Sequence, residues 1–117
     1  MPCPRRRGPA RAPRPRLKVW VVFGGALKFG DGRAELFELI SELGSLQQAV
    51  RRMGMSYRAA WGYCRELERS AGFKLLERRA GGGTRLTPRG RRFLASYHAF
   101  RQGLDALVEQ HFRRSFR

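Results

Sequence analysis

A glycine, Gly54, interrupts two short apolar stripes, and that interruption constrains the fold more than any other feature of this 117-residue chain. Before it, Leu46, Ala49, Val50 and Met53 fall at i, i+3, i+4 and i+7, the spacing that places side chains on one helical face. After it, Tyr57, Ala60, Trp61 and Cys64 repeat the spacing, and Leu67 and Ala71 continue the stripe to a terminal Gly72. Ser45 and Ser56 stand where N-caps belong. Two amphipathic helices joined by a turn of about three residues make a helix-turn-helix.

The flanking sequence builds around that pair. Leu17–Phe23 is β-branched and aromatic, ends at Gly24-Gly25 and resumes as Ala26–Phe29, which reads as a small hairpin. Gly30-Asp31 supplies the N-cap of a first helix whose face is Ala34, Leu36, Phe37, Ile40 and Leu43, stopping at Gly44. Lys74–Arg79 then reads as a strand, Gly81–Gly83 as a loop tip and Thr84–Leu86 as the returning strand, a basic hairpin placed like the wing of a winged helix. Thr87-Pro88 opens a long helix over about residues 88–112. The expected class is mainly α with small β-hairpins: a winged helix-turn-helix over residues 17–117 that closes on a long dimerisation helix.

Charge narrows the partner. The chain has 25 Lys+Arg against 9 Asp+Glu, a formal net charge of +16. Residues 1–16 hold six arginines and no acid, so 19 bases face 9 acids in the remainder and the folded part is itself basic, at +10. Such a protein repels itself and gains by meeting a polyanion, most commonly nucleic acid. The Pro/Arg-rich first 16 residues cannot bury apolar surface and are expected to form a disordered tail.

In a helix-turn-helix the second helix enters the major groove, so its outward face matters most. On a wheel of about 100° per residue, Arg58, Ala59, Gly62, Arg65, Glu66 and Arg69 fall opposite the Tyr57/Trp61/Cys64 stripe. Ala59 and Gly62 allow close approach to base edges, while Arg58 and Arg65 can reach guanine or phosphate. The expected DNA-binding residues are Ser45, Ser56, Tyr57, Arg58, Ala59, Gly62, Arg65 and Arg69, with Arg78, Arg79 and Arg85 of the wing. Ser45 and Ser56 count because amides at helix N-termini grip phosphates. Arg85 is read as free to reach backbone or minor groove. Tyr57 and Trp61 share the apolar stripe and read first as core residues, not base-stacking platforms, though Tyr57 is also counted among the DNA contacts.

The last helix carries Phe93, Tyr97, Phe100, Leu104 and Leu107 at alternating gaps of four and three, a seam that Leu94 adjoins. Part of it packs on its own domain. The remainder exceeds what one small domain covers, so these six residues are expected to pair two copies in a homodimer.

Other classes find little support. Cys3 and Cys64 lie in different settings and suggest neither a disulfide nor a metal site, which fits the cytoplasm. No apolar run approaches the roughly 18 residues a membrane span needs. His98 and His111 have no ligand spacing, and no nucleophile, phosphate loop or carboxylate pair accompanies them, so no enzyme is expected. No cofactor is implied. A molybdate or other oxyanion effector could sit in a basic pocket between two copies, but no spacing calls for one. The alternative to a sequence-specific regulator is an architectural protein that coats nucleic acid by charge alone.

Specific residues carry a resemblance: Gly30-Asp-Gly-Arg33, Gly44-Ser45, Gly54-Met-Ser-Tyr57, Ala60-Trp61, Gly81-Gly-Gly83, and Leu86-Thr87 before Gly90. From Leu17 to about Leu107 the chain resembles the N-terminal DNA-binding domain of the ModE family, the molybdate-responsive bacterial regulators whose winged helix is similar to that of LysR-type regulators. The resemblance implies a transcriptional regulator that binds double-stranded DNA as a dimer through its terminal helix. Full-length family members continue into oxyanion-binding domains. This sequence stops at Arg117, so the expectation is a stand-alone DNA-binding unit with no sensing domain. Its glycine wing is also shorter than the family's usual form.

Overall fold

A computed structural model describes residues 12–117, so of the tail expected over residues 1–16 the first eleven lie outside the described residues. The order is β1 (Val21–Phe23), β2 (Leu27–Phe29), α1 (Asp31–Leu43), α2 (Leu46–Met53), α3 (Tyr57–Ala71), β3 (Leu76–Arg78), β4 (Thr84–Leu86) and α4 (Pro88–Ser115). Both hairpins are antiparallel, with Val21 opposite Phe29 in the first and Leu76 opposite Leu86 in the second.

The local signals act as their chemistry dictates. The side chains of Ser45, Ser56 and Thr87 each accept a hydrogen bond from the backbone N–H three residues on, at 3.1, 3.1 and 2.9 Å. Gly54 closes α2 in the left-handed conformation at φ 72°, which turns the chain from α2 into α3 and which a side chain would strain. At α1 the cap is Gly30, which has no side chain to offer. Asp31 is the first helical residue, and its carboxylate bonds elsewhere.

Both expected strands that precede a turn are shorter in the structure. β2 offers three residues before Gly30 begins α1, so residues 17–20 have no partner strand. In the second hairpin, Leu75 C=O still accepts from Thr87 N–H at 2.9 Å, but Leu75 N–H donates to Glu68 and Thr87 C=O accepts from Arg91 N–H as α4 begins, which ends the ladder there.

One core holds the elements together. Phe29, Leu36, Phe37, Ile40, Cys64, Leu67, Leu75 and Leu86 are fully buried. Phe29 is the hub, with ring centroids 5.6 Å from Phe37, 4.8 Å from Phe93 and 5.1 Å from Tyr97. Burial pushes the Cys64 thiol up to about 12, with Glu68 adding to the shift, so it packs as a small protonated apolar group.

α4 begins inside this core and leaves it. Its buried residues are Gly90, Leu94 and Tyr97, all in the first ten positions. At about 1.5 Å per residue its 28 residues run roughly 42 Å, which gives the molecule its extents of 62 × 30 × 24 Å. The start is fixed to α1 by polar bonds. Tyr97 Oη donates to Asp31 at 2.6 Å, and Arg101 donates to Asp31 at 3.1 Å and to Asp105 at 2.7 Å. Arg101 also reaches the Leu17 carbonyl at 3.1 Å, and His98 bonds Glu38.

Candidate nucleic-acid interface

α3 is held with one face in the core and one in solvent. Ala60, Cys64 and Leu67 are buried, while Arg58, Ala59, Gly62, Arg65, Glu66 and Arg69 are exposed, as the wheel predicts. A Cβ added at Gly62 would meet nothing within 4 Å, so its smallness serves no packing inside the chain. Among the described residues, Arg58, Arg65 and Arg69 form no ion pair.

Tyr57 and Trp61 are not core residues. They are 50% and 43% exposed, because the core takes its contacts from Ala60, Cys64 and Leu67, centred some 50° or more around the helix from them. The Arg65 guanidinium lies over the Trp61 ring, 5.3 Å from its centroid, so contrary to expectation Arg65 stands beside Trp61 and opposite only the buried Ala60/Cys64/Leu67 stripe.

The wing is attached beside this face by bonds that sequence patterns do not reveal. Near the end of α3, one carboxylate oxygen of Glu68 accepts from the backbone N–H of Leu75 at 2.8 Å and of Leu76 at 3.0 Å, where the wing's first strand begins. On its other side, the Gly44 carbonyl accepts from Thr84 N–H at 3.0 Å and from Arg79 Nη1 at 3.3 Å. Gly83 has φ 91°, and a Cβ there would lie 2.5 Å from the Gly44 oxygen, so glycine is required at the junction.

Between helices and wing lies a cleft of about 480 Å³. Ser45 and Gln47 of the α2 start, Tyr57 and Trp61 of α3, and Lys74 and Arg78 of the wing segment line it. Gln47 and Lys74 did not figure among the expected residues. Their signal was position alone, Gln47 in the first turn of α2 and Lys74 in the link that follows Gly72. Ser45 and Ser56 commit their oxygens as cap acceptors, which leaves each hydroxyl hydrogen free to donate.

Two wing arginines depart from expectation. Arg85 is partly engaged: its Nε donates to Glu77 Oε2 at 2.8 Å across the hairpin, because the two residues face each other in the register, while its side chain stays 58% exposed with its other N–H groups available. Arg79 folds back onto Gly44 and braces the wing. Arg78, exposed at the cleft, keeps an outward charge.

The expected dimerisation seam divides. Leu94 and Tyr97 are buried in their own core, and Phe93 is half-buried against Phe29, because the first turns of α4 complete the monomer's aromatic cluster. Most of the surface of Leu94 and Tyr97 is thus spent inside the monomer, while Phe93 keeps part of its ring at a surface groove shared with Phe100. Leu104 is half-buried, and Phe100 and Leu107 are 44% and 62% exposed. No helix among the described residues is long and apolar enough to cross a membrane.

Residues 32–91, which run from α1 through the wing into α4, match the family described as bacterial regulatory helix-turn-helix proteins, lysR family. The chain belongs to the lysR family. Within that family its helix-turn-helix region is ModE-like. It is 38% identical over 103 residues to the molybdenum transport protein ModE of Azotobacter vinelandii, across 81% of this chain and 37% of that protein. It is 32% identical over 85 residues to the molybdenum-pterin-binding protein MopB of Rhodobacter capsulatus, covering 69% and 32%. The chain thus spans about a third of the length of these relatives. Among solved structures, the lysR-type fold is similar to that in the crystal structure of the CbnR_DBD–DNA complex, with a TM-score of 0.56 and 26% identity over 72% of this chain and 94% of that one.

Proposed function

We propose that this lysR-family chain is a sequence-specific regulator of transcription that binds double-stranded DNA, working in the cytoplasm as a homodimer. The observation that carries the reading is that the Tyr57/Trp61 flank of α3 shares one cleft with the wing and the α2 start, while Arg58, Arg65 and Arg69 of the same helix stand exposed beside it. The CbnR_DBD structure, similar in fold, is a complex with DNA. In this reading α3 enters the major groove, Arg58 and Arg65 meet bases or phosphates, Arg69 and Arg78 meet phosphates, and Ala59 and Gly62 let the helix come close. Ser45 and Ser56 bring the N–H groups of two helix starts to the backbone. Arg79 and Arg85 act on the wing's shape more than on DNA.

Pairing of two copies is supported by the apolar side chains α4 leaves uncovered: Phe100, Leu107 and Phe116. A two-fold dimer sets its recognition helices about 34 Å apart and reads an inverted repeat. Leu107→Glu is expected to give monomers in analytical ultracentrifugation while leaving the fold intact. DNA binding by this chain needs no cofactor in our reading, so affinity for duplex is expected to be equal with and without molybdate.

The deciding experiment is selection of bound duplexes from a randomised pool, followed by footprinting of the enriched sequence. The expected result is a protected inverted repeat, lost on changing both Arg58 and Arg65 to Ala. Equal affinity for all sequences, with a salt slope of about −0.9 per neutralised phosphate, would instead mark a charge-driven coat.

A further inference from the structure

Tyr57 and Trp61 carry the largest apolar surface on α3 and leave about half of it in water. They sit one turn apart, the spacing at which helical side chains neighbour each other. Their flank borders the wing and the α2 start, and Arg65 covers one ring. The charged groups around the pair are Arg65, Lys74 and Arg78, with Glu77 of the same cleft paired to Arg85, and an apolar pair kept exposed in that cationic setting marks a contact with something both anionic and locally apolar.

Duplex DNA offers two such apolar groups. Deoxyribose is one, identical at every nucleotide. The thymine 5-methyl is the other, and it is the apolar feature of the base edges displayed in the major groove. The pair lies on the same side of α3 as Arg58 and Arg65, at the edge of the face that would approach the bases. Neither ring carries a charge, and each has a single polar donor at its edge, so most of the surface the pair presents is apolar.

We propose that Tyr57 and Trp61 form an apolar reading edge that selects thymine through its 5-methyl group, beside the contacts made by Arg58 and Arg65. This rests on the reading of the chain as a sequence-selective binder of duplex DNA. It makes the two aromatic rings determinants of sequence choice, separate from the cationic groups that set affinity.

The test uses the full chain and the duplex enriched from a randomised pool. Each thymine is replaced in turn by deoxyuridine, which keeps base pairing and removes only the methyl, and affinity is read by fluorescence anisotropy. At one or more thymines the unaltered chain is expected to lose about fourfold, the scale of one buried methyl group. Trp61→Ala or Tyr57→Ala is expected to bind the thymine and deoxyuridine forms of that site equally, with Trp61→Phe keeping part of the preference. Indifference of the unaltered chain to every replacement overturns the proposal without recourse to any variant. So does an alanine variant that weakens both forms alike and keeps the original ratio, the signature of deoxyribose contact. A pool that enriches nothing overturns the parent reading and this inference with it. An enriched sequence that is insensitive to methyl removal overturns this inference alone.

Discussion

The two ends of the helix-turn-helix core use charge in opposite ways. Along the α1–α4 seam the charged and polar groups are matched inside the chain: Asp31 with Tyr97 and Arg101, Arg101 with Asp105, Glu38 with His98. On the α3 face, Arg58, Arg65 and Arg69 form no ion pair among the described residues. Paired charge orients one element against another. Cationic charge left exposed on a single face gives the protein a field that only an outside polyanion completes.

Substitutions can break or sharpen that contrast. The largest effect is expected behind the seam, where Phe29→Ala removes the hub of the aromatic cluster and should cost about 3–5 kcal/mol in denaturant unfolding. On the opposite face, Arg58→Ala should weaken binding of the selected duplex by about 1–3 kcal/mol, with stability unchanged within roughly 0.5 kcal/mol. Loss of stability there would mean that the α3 charges are structural too, and the contrast would fall.

Gly83→Ala tests the junction between core and wing. The strained φ and the approach to the Gly44 oxygen should cost about 1–3 kcal/mol and weaken DNA binding together, as read by thermal unfolding and anisotropy.

A smaller effect is expected from acid. Hydrogen bonds from Arg101 first, and from Tyr97 next, hold the Asp31 carboxyl below its ordinary range. A lowered folded value means that the stabilisation is present above the unfolded value of about 3.9 and is lost as pH falls through the folded one. Asp31→Asn should therefore lower stability at neutral pH and flatten the decline below about pH 4. Because the Asp31 side chain is 58% exposed, the change should stay under about 1 kcal/mol.

The smallest change is Glu77→Gln, which releases Arg85 from an exposed pair. Stability should move by less than about 1 kcal/mol, and duplex affinity should rise at low salt and return to normal at high salt.

What the sequence made legible was local. Ser45, Ser56 and Thr87 cap where their spacing predicts, and Gly44, Gly54 and Gly72 stop helices, because capping and left-handed turns depend on a few neighbouring residues. The stripe of α3 misled at Tyr57 and Trp61, since period alone does not say which edge of an apolar face the neighbouring elements cover. Glu68, Asp31 and Arg101 were invisible for another reason. Asp31 and Arg101 are separated by 70 positions, and their pairing leaves no mark in either neighbourhood. The α4 seam was legible as a pattern, but which of its residues the chain's own core buries depends on where the hairpin and α1 end.

The carboxylate of Glu68 has a consequence for how tightly such a surface can hold a partner. By gripping two successive amides at the root of the ribbon, it fixes the ribbon's tilt before any encounter. Helix and ribbon then arrive as a single preshaped die, and little freedom remains to be surrendered on contact.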